Sequence, residues 1–309
     1  MADFVSHHLF GEQALTVFPA PVQQLAQAHP ACFFWGCQGP DPLFYRKIWL
    51  GSPLHALGNR MHSEHTDALF AALAQGVHSL SGDARDSAAA YFYGFLCHYA
   101  LDSELHPYVY CRQQQLCATD AKLSASAVHC QIESDIDYLL HERLRHAPVT
   151  GFDLAPVYTL APAEQAVLSV LLHAVLRKVY AVAVPVRELR RAFDEMCAWE
   201  TFLYADRHVS YHLALHLEHL LGRGALLTSH MKVERPAWDA LNEQRAPWCD
   251  LWSPAQTRTD TVPELFGLAR IRVAALAGQY AAQFDAGMQL FHHFDRPFDQ
   301  GSPKRRPSA

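Results

Sequence analysis

Within GFLCHYALDSELHPY, residues 94–108, His98, Asp102 and His106 recur at four-residue steps among apolar neighbours. Side chains four apart on an α-helix stand one turn above each other, so the three line a single stripe. Residues 129–137 repeat the design: His129 and Glu133 share the spacing, and Asp137 extends it by a turn. Imidazoles and carboxylates on otherwise apolar helices suit a buried divalent metal cluster, because each ligand faces a charge that offsets its own desolvation. One such pair is ordinarily a surface or satisfied core pair; two pairs with a third His in register favour a metal. Several imidazoles, a few carboxylates and no thiolate fit zinc. A di-iron bundle would want more glutamates in Glu-x-x-His spacing, and magnesium would want oxygens almost alone. Gly94, one turn before His98, removes bulk where an ion, a ligand or another helix can lie close.

The elements that must position these stripes read as helices, and strand-like alternation is scarce. The spacing predicts one helix over 87–106, stopped by Pro107, and another over 127–144 with Ile132, Ile136, Leu139, Leu140 and Leu144 as its apolar face. Further helices are predicted over 12–28, 62–80, 162–182, 186–207, 209–222 and 263–291. Residues 29–61, punctuated by Gly and Pro, read as a long irregular connection of the kind that carries function, and 223–262 as a second irregular stretch. The expected fold is all-α, a single domain over 1–300 with the metal-binding motifs inside 1–140, followed by a disordered tail, GSPKRRPSA, at 301–309.

Composition narrows the function classes. A net charge of -6 and a pI near 6.4 provide no basic footprint for duplex nucleic acid or an anionic membrane. The N-terminus has no basic segment followed by an apolar run, and the longest apolar stretch is broken by His173, Arg177, Lys178 and Pro185, so a cytoplasmic protein without a membrane span is expected. The eight cysteines form no CxxC pair and read as core filler in a reducing compartment. Histidine, at 20 residues, is the outlier and calls for metal or acid-base chemistry. None of these histidines precedes an aspartate, which sets aside phosphohydrolases built on a His-Asp dipeptide.

In order along the chain, SHHLFG, GCQGPDPLFY, NRMHSE, GFLCHYALDSELHPY and HCQIESDID resemble the motifs of the zinc-dependent phospholipase C family, whose all-helical fold and trinuclear zinc site are shared with zinc-dependent single-strand nucleases. The C-terminal half matches only loosely, as in LNEQRAPW. The resemblance implies that Asp41, His62, His98 and Asp102 surround one zinc, that Asp102 bridges to a second held with His7, and that His106, His129 and Glu133 hold a third. His8 is the alternative to His7, which stands two residues before the FG. Two or three zinc ions are expected. Secreted members add a processed terminal amine to the zinc bound by their first His. No signal peptide is expected here, so the His7 zinc is the one expected to be weak, absent or differently ligated.

The implied chemistry is phosphoester hydrolysis, with Asp41 orienting or deprotonating the attacking water. Aromatic residues beside the motifs (Phe33, Phe34, Trp35, Phe44, Tyr45, Tyr99, Tyr108) are candidates for a box around a quaternary ammonium or a base, with core packing as the ordinary reading. A further stripe, His212, His216 and His219, has metal-ready spacing and reads as a pocket wall or a polar helix edge. The cations near the motifs are few (Arg46, Lys47, Arg60, Arg112, Lys122), and Glu64, Asp67 and Glu104 lie among them. This balance ranks a phospholipid head-group ester above single-stranded nucleic acid, with transient membrane contact through exposed aromatics such as Trp35 or Trp49. A nuclease or phosphomonoesterase on the same site, and a non-catalytic zinc-stabilised binding protein, are the alternatives.

Overall fold

The computed structural model describes residues 4–47, 52–119, 123–204, 208–220, 228–231, 233–250, 252–253, 255–286, 294 and 296–298. Its axis is α7, Gly82–Thr119, a 38-residue helix about 57 Å long at 1.5 Å per residue. From Ser87 to Val109 every position of α7 is buried, the mark of a helix surrounded by others. Those others are α1 (Phe4–Leu15), α2 (Ala20–Ala28), α3 (Pro30–Cys37), α6 (Thr66–His78), α8 (Ala125–Arg145), α10 (Pro162–Tyr180) and α13 (Val262–Ala286). Short α4 (Pro42–Tyr45) and α5 (Pro53–Ser63) precede α6; α9 (Ala155–Tyr158), α11 (Val186–Tyr204) and α12 (His208–Leu220) complete the α-helices among the described residues. An antiparallel pair, β1 (Trp248–Cys249) with β2 (Thr257–Arg258), lies in the second irregular stretch. The fold is all-α, with this pair as the only strands among the described residues, and no described helix is long and apolar enough to cross a membrane.

Helix α7 runs through Pro107 instead of ending before it. Proline removes the bond to the carbonyl four residues back, here that of Ser103. The Arg296 guanidinium donates to that oxygen at 3.2 Å, so a distant residue supplies the donor that the proline lacks. The reading of 29–61 as irregular is also corrected. Pro30, Pro42 and Pro53 each stand at the start of a helix, where a fixed φ is favourable and the missing N–H costs nothing. The helix predicted over 12–28 is divided at residues 16–19, where Pro19 disfavours helical backbone in Phe18. The one predicted over 62–80 breaks at His65, which is left-handed (φ 60°), while the adjacent Glu64 carbonyl accepts from the Tyr180 hydroxyl at 3.1 Å.

Gly94 makes room for another helix. A Cβ on Gly94 would stand 2.0 Å from the Phe33 carbonyl oxygen, and one on Gly36 would stand 2.1 Å from that of Tyr91. This close crossing of α3 and α7 carries the turn after α3 against His98.

Candidate metal centre

Four helices and one turn converge on His98. The Cys37 carbonyl, at the end of α3, accepts from His98 Nδ1 at 3.1 Å and leaves Nε2 facing inward. Gly39 follows with φ +51°, where a Cβ would lie 2.4 Å from His98 Cδ2, so the turn can pass under the ring and deliver Asp41. His62, in the last turn of α5, is held at Nδ1 by the Gly58 carbonyl at 2.8 Å. Its Nε2 stands 3.2 Å from His98 Nε2, 3.3 Å from Asp41 Oδ1 and 3.6 Å from Asp102 Oδ2. His98 Nε2 is 3.2 Å from Asp102 Oδ2 and 3.9 Å from Asp41 Oδ1. Zinc bonds of about 2.0–2.1 Å place tetrahedral ligand atoms roughly 3.3 Å apart; His62, His98 and Asp102 stand near that spacing, with Asp41 Oδ1 beside the two rings.

Asp102 faces two ways. Oδ2 points to His62 and His98, and Oδ1 stands 3.3 Å from His7 Nε2. The His7 ring, on α1, stacks on His98 with centroids 4.2 Å apart. His8 turns away, its ring against Phe34 and Phe152 and its Nδ1 3.3 Å from the Tyr158 hydroxyl. The geometry therefore separates the two candidates, and His7 is the one that meets Asp102.

A turn along α7, His106 begins the second cluster. Its Nε2 is 3.4 Å from Glu133 Oε1, and His129 Nε2 is 3.0 Å from the same oxygen. The Gln113 side-chain oxygen, 2.9 Å away, orients His129 Nδ1. His106 Nδ1 faces the Phe298 carbonyl at 3.4 Å and lies 3.9 Å from Asp102 Oδ2, which links the clusters. The structure thus brings all eight candidates together: His7, Asp41 and His98 form one triplet and His62, His98 and Asp102 another, joined through His98, and His106, His129 and Glu133 form a third beside this joined cluster.

The protonation states suit ligation. Burial, reinforced by His98, lowers His7 to about 4, and burial holds His106 and His129 well below the usual histidine range. Burial alone would raise Asp102, but His106, His98 and the His7 contact outweigh it and keep its carboxyl well below the usual range. Burial with Cys97 alongside pushes the Cys37 thiol up, so no thiolate competes. Neutral imidazoles and an ionised carboxylate are the forms that bind a cation. The buried His106 Nε2 makes no hydrogen bond, although His106 and Glu133 are held together. Nitrogen and oxygen donors at this spacing, with an inward-facing nitrogen unused, fit zinc.

Asp137 does not continue the stripe of His129 and Glu133 into the metal donors; it turns to α1. Of the two readings of the aromatic residues beside the motifs, core packing holds for most of them. Phe33, Trp35, Tyr99 and Tyr108 are core, and Trp35, 1% exposed, donates its indole N–H to the Tyr158 carbonyl. Trp35 therefore offers no membrane contact; Trp49 lies outside the described residues. Phe44 reaches the site, its ring centroid 5.7 Å from that of His62. Sequence reasoning missed Tyr110 and Trp252. Tyr110 is one turn beyond His106, its ring centroid 4.9 Å from that of His129 and 5.5 Å from that of Trp252. It also missed Phe298, whose buried ring packs edge-on to His62 while its N–H donates to the His62 carbonyl at 2.9 Å. Four-residue spacing was the available signal for Tyr110; Phe298 carries none. His212 and His216 project into solvent, His212 3.5 Å from Glu234, so they are a helix edge and not a pocket wall; the side chain of His219 lies outside the described residues.

No curated protein and no solved structure matches the chain. A family model for zinc dependent phospholipase C matches residues 6–172, the stretch that supplies all eight candidate ligands. The match spans more than half of the 309 residues, and the all-α architecture and buried His/Asp/Glu clusters accord with it. At the level of the family this is a zinc-dependent phosphoesterase: the chain belongs to the zinc-dependent phospholipase C family.

Proposed function

We propose that the protein hydrolyses a phosphodiester at the bridged cluster and that its substrate is a phospholipid head-group ester. The observation that carries the reading is the two-sided Asp102 carboxylate, with His62 and His98 at one oxygen and His7 at the other. Zinc bound there would supply Lewis acidity toward the phosphoryl oxygens and a water of lowered pKa. Asp102, His7, His62 and His98 would hold the ions, and Asp41 would both complete the His62/His98 group and take the proton of the attacking water. His106, His129 and Glu133 would hold a further ion beside them.

The surroundings support a substrate with one phosphate and an organic remainder. Arg46 is buried against Glu188 and Glu195, Arg60 pairs with Glu64, and Arg112 bonds Gln115 and Asn242. Cations committed in this way offer little to a polyanionic strand. The adjoining His106/His129/Glu133 group reaches solvent at His129, whose side chain is 14% exposed, and the Tyr110 ring beside it, with Trp252 against Tyr110, would offer aromatic surface to the remainder of a substrate. The test compares zinc-loaded protein on phosphatidylcholine micelles with single-stranded DNA at low and moderate salt. Release of phosphocholine is expected. Efficient DNA cleavage without it would put the nuclease first, and cleavage of neither phosphodiesters nor phosphomonoesters would favour a zinc-stabilised binding protein. Asp41→Asn should abolish hydrolysis while the His106/His129/Glu133 ion stays in place.

A further inference from the structure

Asp137 is fully buried one turn beyond Glu133 on α8, yet its carboxylate serves α1. Oδ2 accepts the Val5 N–H at 2.9 Å and the Tyr204 hydroxyl at 3.2 Å; Oδ1 accepts the Ser6 N–H at 2.8 Å and the Ser6 hydroxyl. The two amides are those of the second and third residues of α1, Phe4–Leu15. The residue after them is His7.

His7 needs such an anchor more than the other imidazoles do. Each of the other rings in the two clusters has Nδ1 facing an acceptor: Gly58, Cys37 and Phe298 carbonyls for His62, His98 and His106, and the Gln113 side chain for His129. His7 Nδ1 makes no hydrogen bond. Its ring is aimed by stacking on His98 and by the placement of its own main chain. We infer that Asp137 is the positioning residue for His7: by clamping the first turn of α1 to α8, it sets His7 Nε2 against Asp102. One helix would thereby supply two donors to the second cluster and govern a donor of the first. This rests on the reading of His7 as a zinc ligand given above.

Zinc content after equilibration in buffered zinc tests the inference without relying on activity. Asp137→Ala should lose the same single ion as His7→Ala, weakening it roughly 10–100-fold, while the His106/His129/Glu133 ion stays. The Asp137→Ala/His7→Ala double variant should lose nothing more, because both changes act on one ligand. Asp137→Asn, which keeps the shape but loses the charge, should fall between. If Asp137→Ala does not fold, Ser6→Ala and Tyr204→Phe each remove one bond to the carboxylate and should selectively weaken that ion. A full zinc complement in Asp137→Ala beside a deficit in His7→Ala, or unchanged affinity in both Ser6→Ala and Tyr204→Phe, would overturn the inference alone. Full zinc in His7→Ala, or none in the unaltered protein, would remove the zinc-ligand reading and the inference with it.

Discussion

The two clusters are built on different principles. The His106/His129/Glu133 group comes from two neighbouring helices, α7 and α8, and its members already share a helix face or lie just across one helix pair. The bridged group draws on α1, α5, α7 and the turn into α4, and its central residues His98 and Asp102 are 0% exposed. The first is local geometry and opens to solvent at one edge. The second is tertiary and closed, so it depends on every element around it, including the chain's far end at Phe298.

The largest expected effect breaks the bridge. Asp102→Ala removes the carboxylate whose two oxygens face the His62/His98 and His7 sides, and phosphodiester hydrolysis by the zinc-loaded protein should fall by on the order of 10³-fold or more. Retained turnover would mean that the bridged cluster is not where the chemistry occurs. Next comes the closed wall. Phe298→Ala empties a buried ring site against His62, His98, Phe95 and Tyr99, at a cost of about 3–5 kcal/mol in denaturant unfolding. A change within about 0.5 kcal/mol would show that the C-terminal residues do not seal the site.

His129→Ala should separate the clusters. It removes one zinc and the melting-temperature gain that this ion confers, while Asp41, His62, His98 and Asp102 keep theirs. Loss of all zinc from this variant would show that the groups load as a unit. The most gradual effect is that of pH on metal-free protein. His7 titrates near 4 when folded and near 6.5 when unfolded, and His106 and His129 are shifted in the same direction. Between those values the unfolded chain binds more protons, so stability is complete above about 6.5 and declines as pH falls toward 4. A midpoint in urea that stays constant over this window would contradict the neutral, buried state of these rings.

Helical periodicity is a local property, and for that reason His98, Asp102 and His106, and separately His129 and Glu133, are legible as stripes in the sequence alone. Zinc as the metal follows from their chemistry, and the quoted motifs suffice for the family. Local rules failed where a distant group altered the local balance. Pro107 reads as a stop because its own segment has no donor for the Ser103 carbonyl; Arg296 provides one. Pro30, Pro42 and Pro53 read as breakers in a loop, although proline breaks a helix only inside it and not at its first residue.

Asp137 shares the spacing of the ligands but not their role, because four-residue spacing sets a face of α8 and not what packs against it. The sequence by itself determined the donor types, their helical spacing and the family. The family resemblance already implied His7, Asp41 and His62, and the fold brings them to Asp102 and His98; tertiary structure alone decided that Asp137 turns to α1 and that Phe298 closes over His62 and His98. These choices rest on contacts between residues far apart in the chain, whose partners are set by the packing of whole helices around α7.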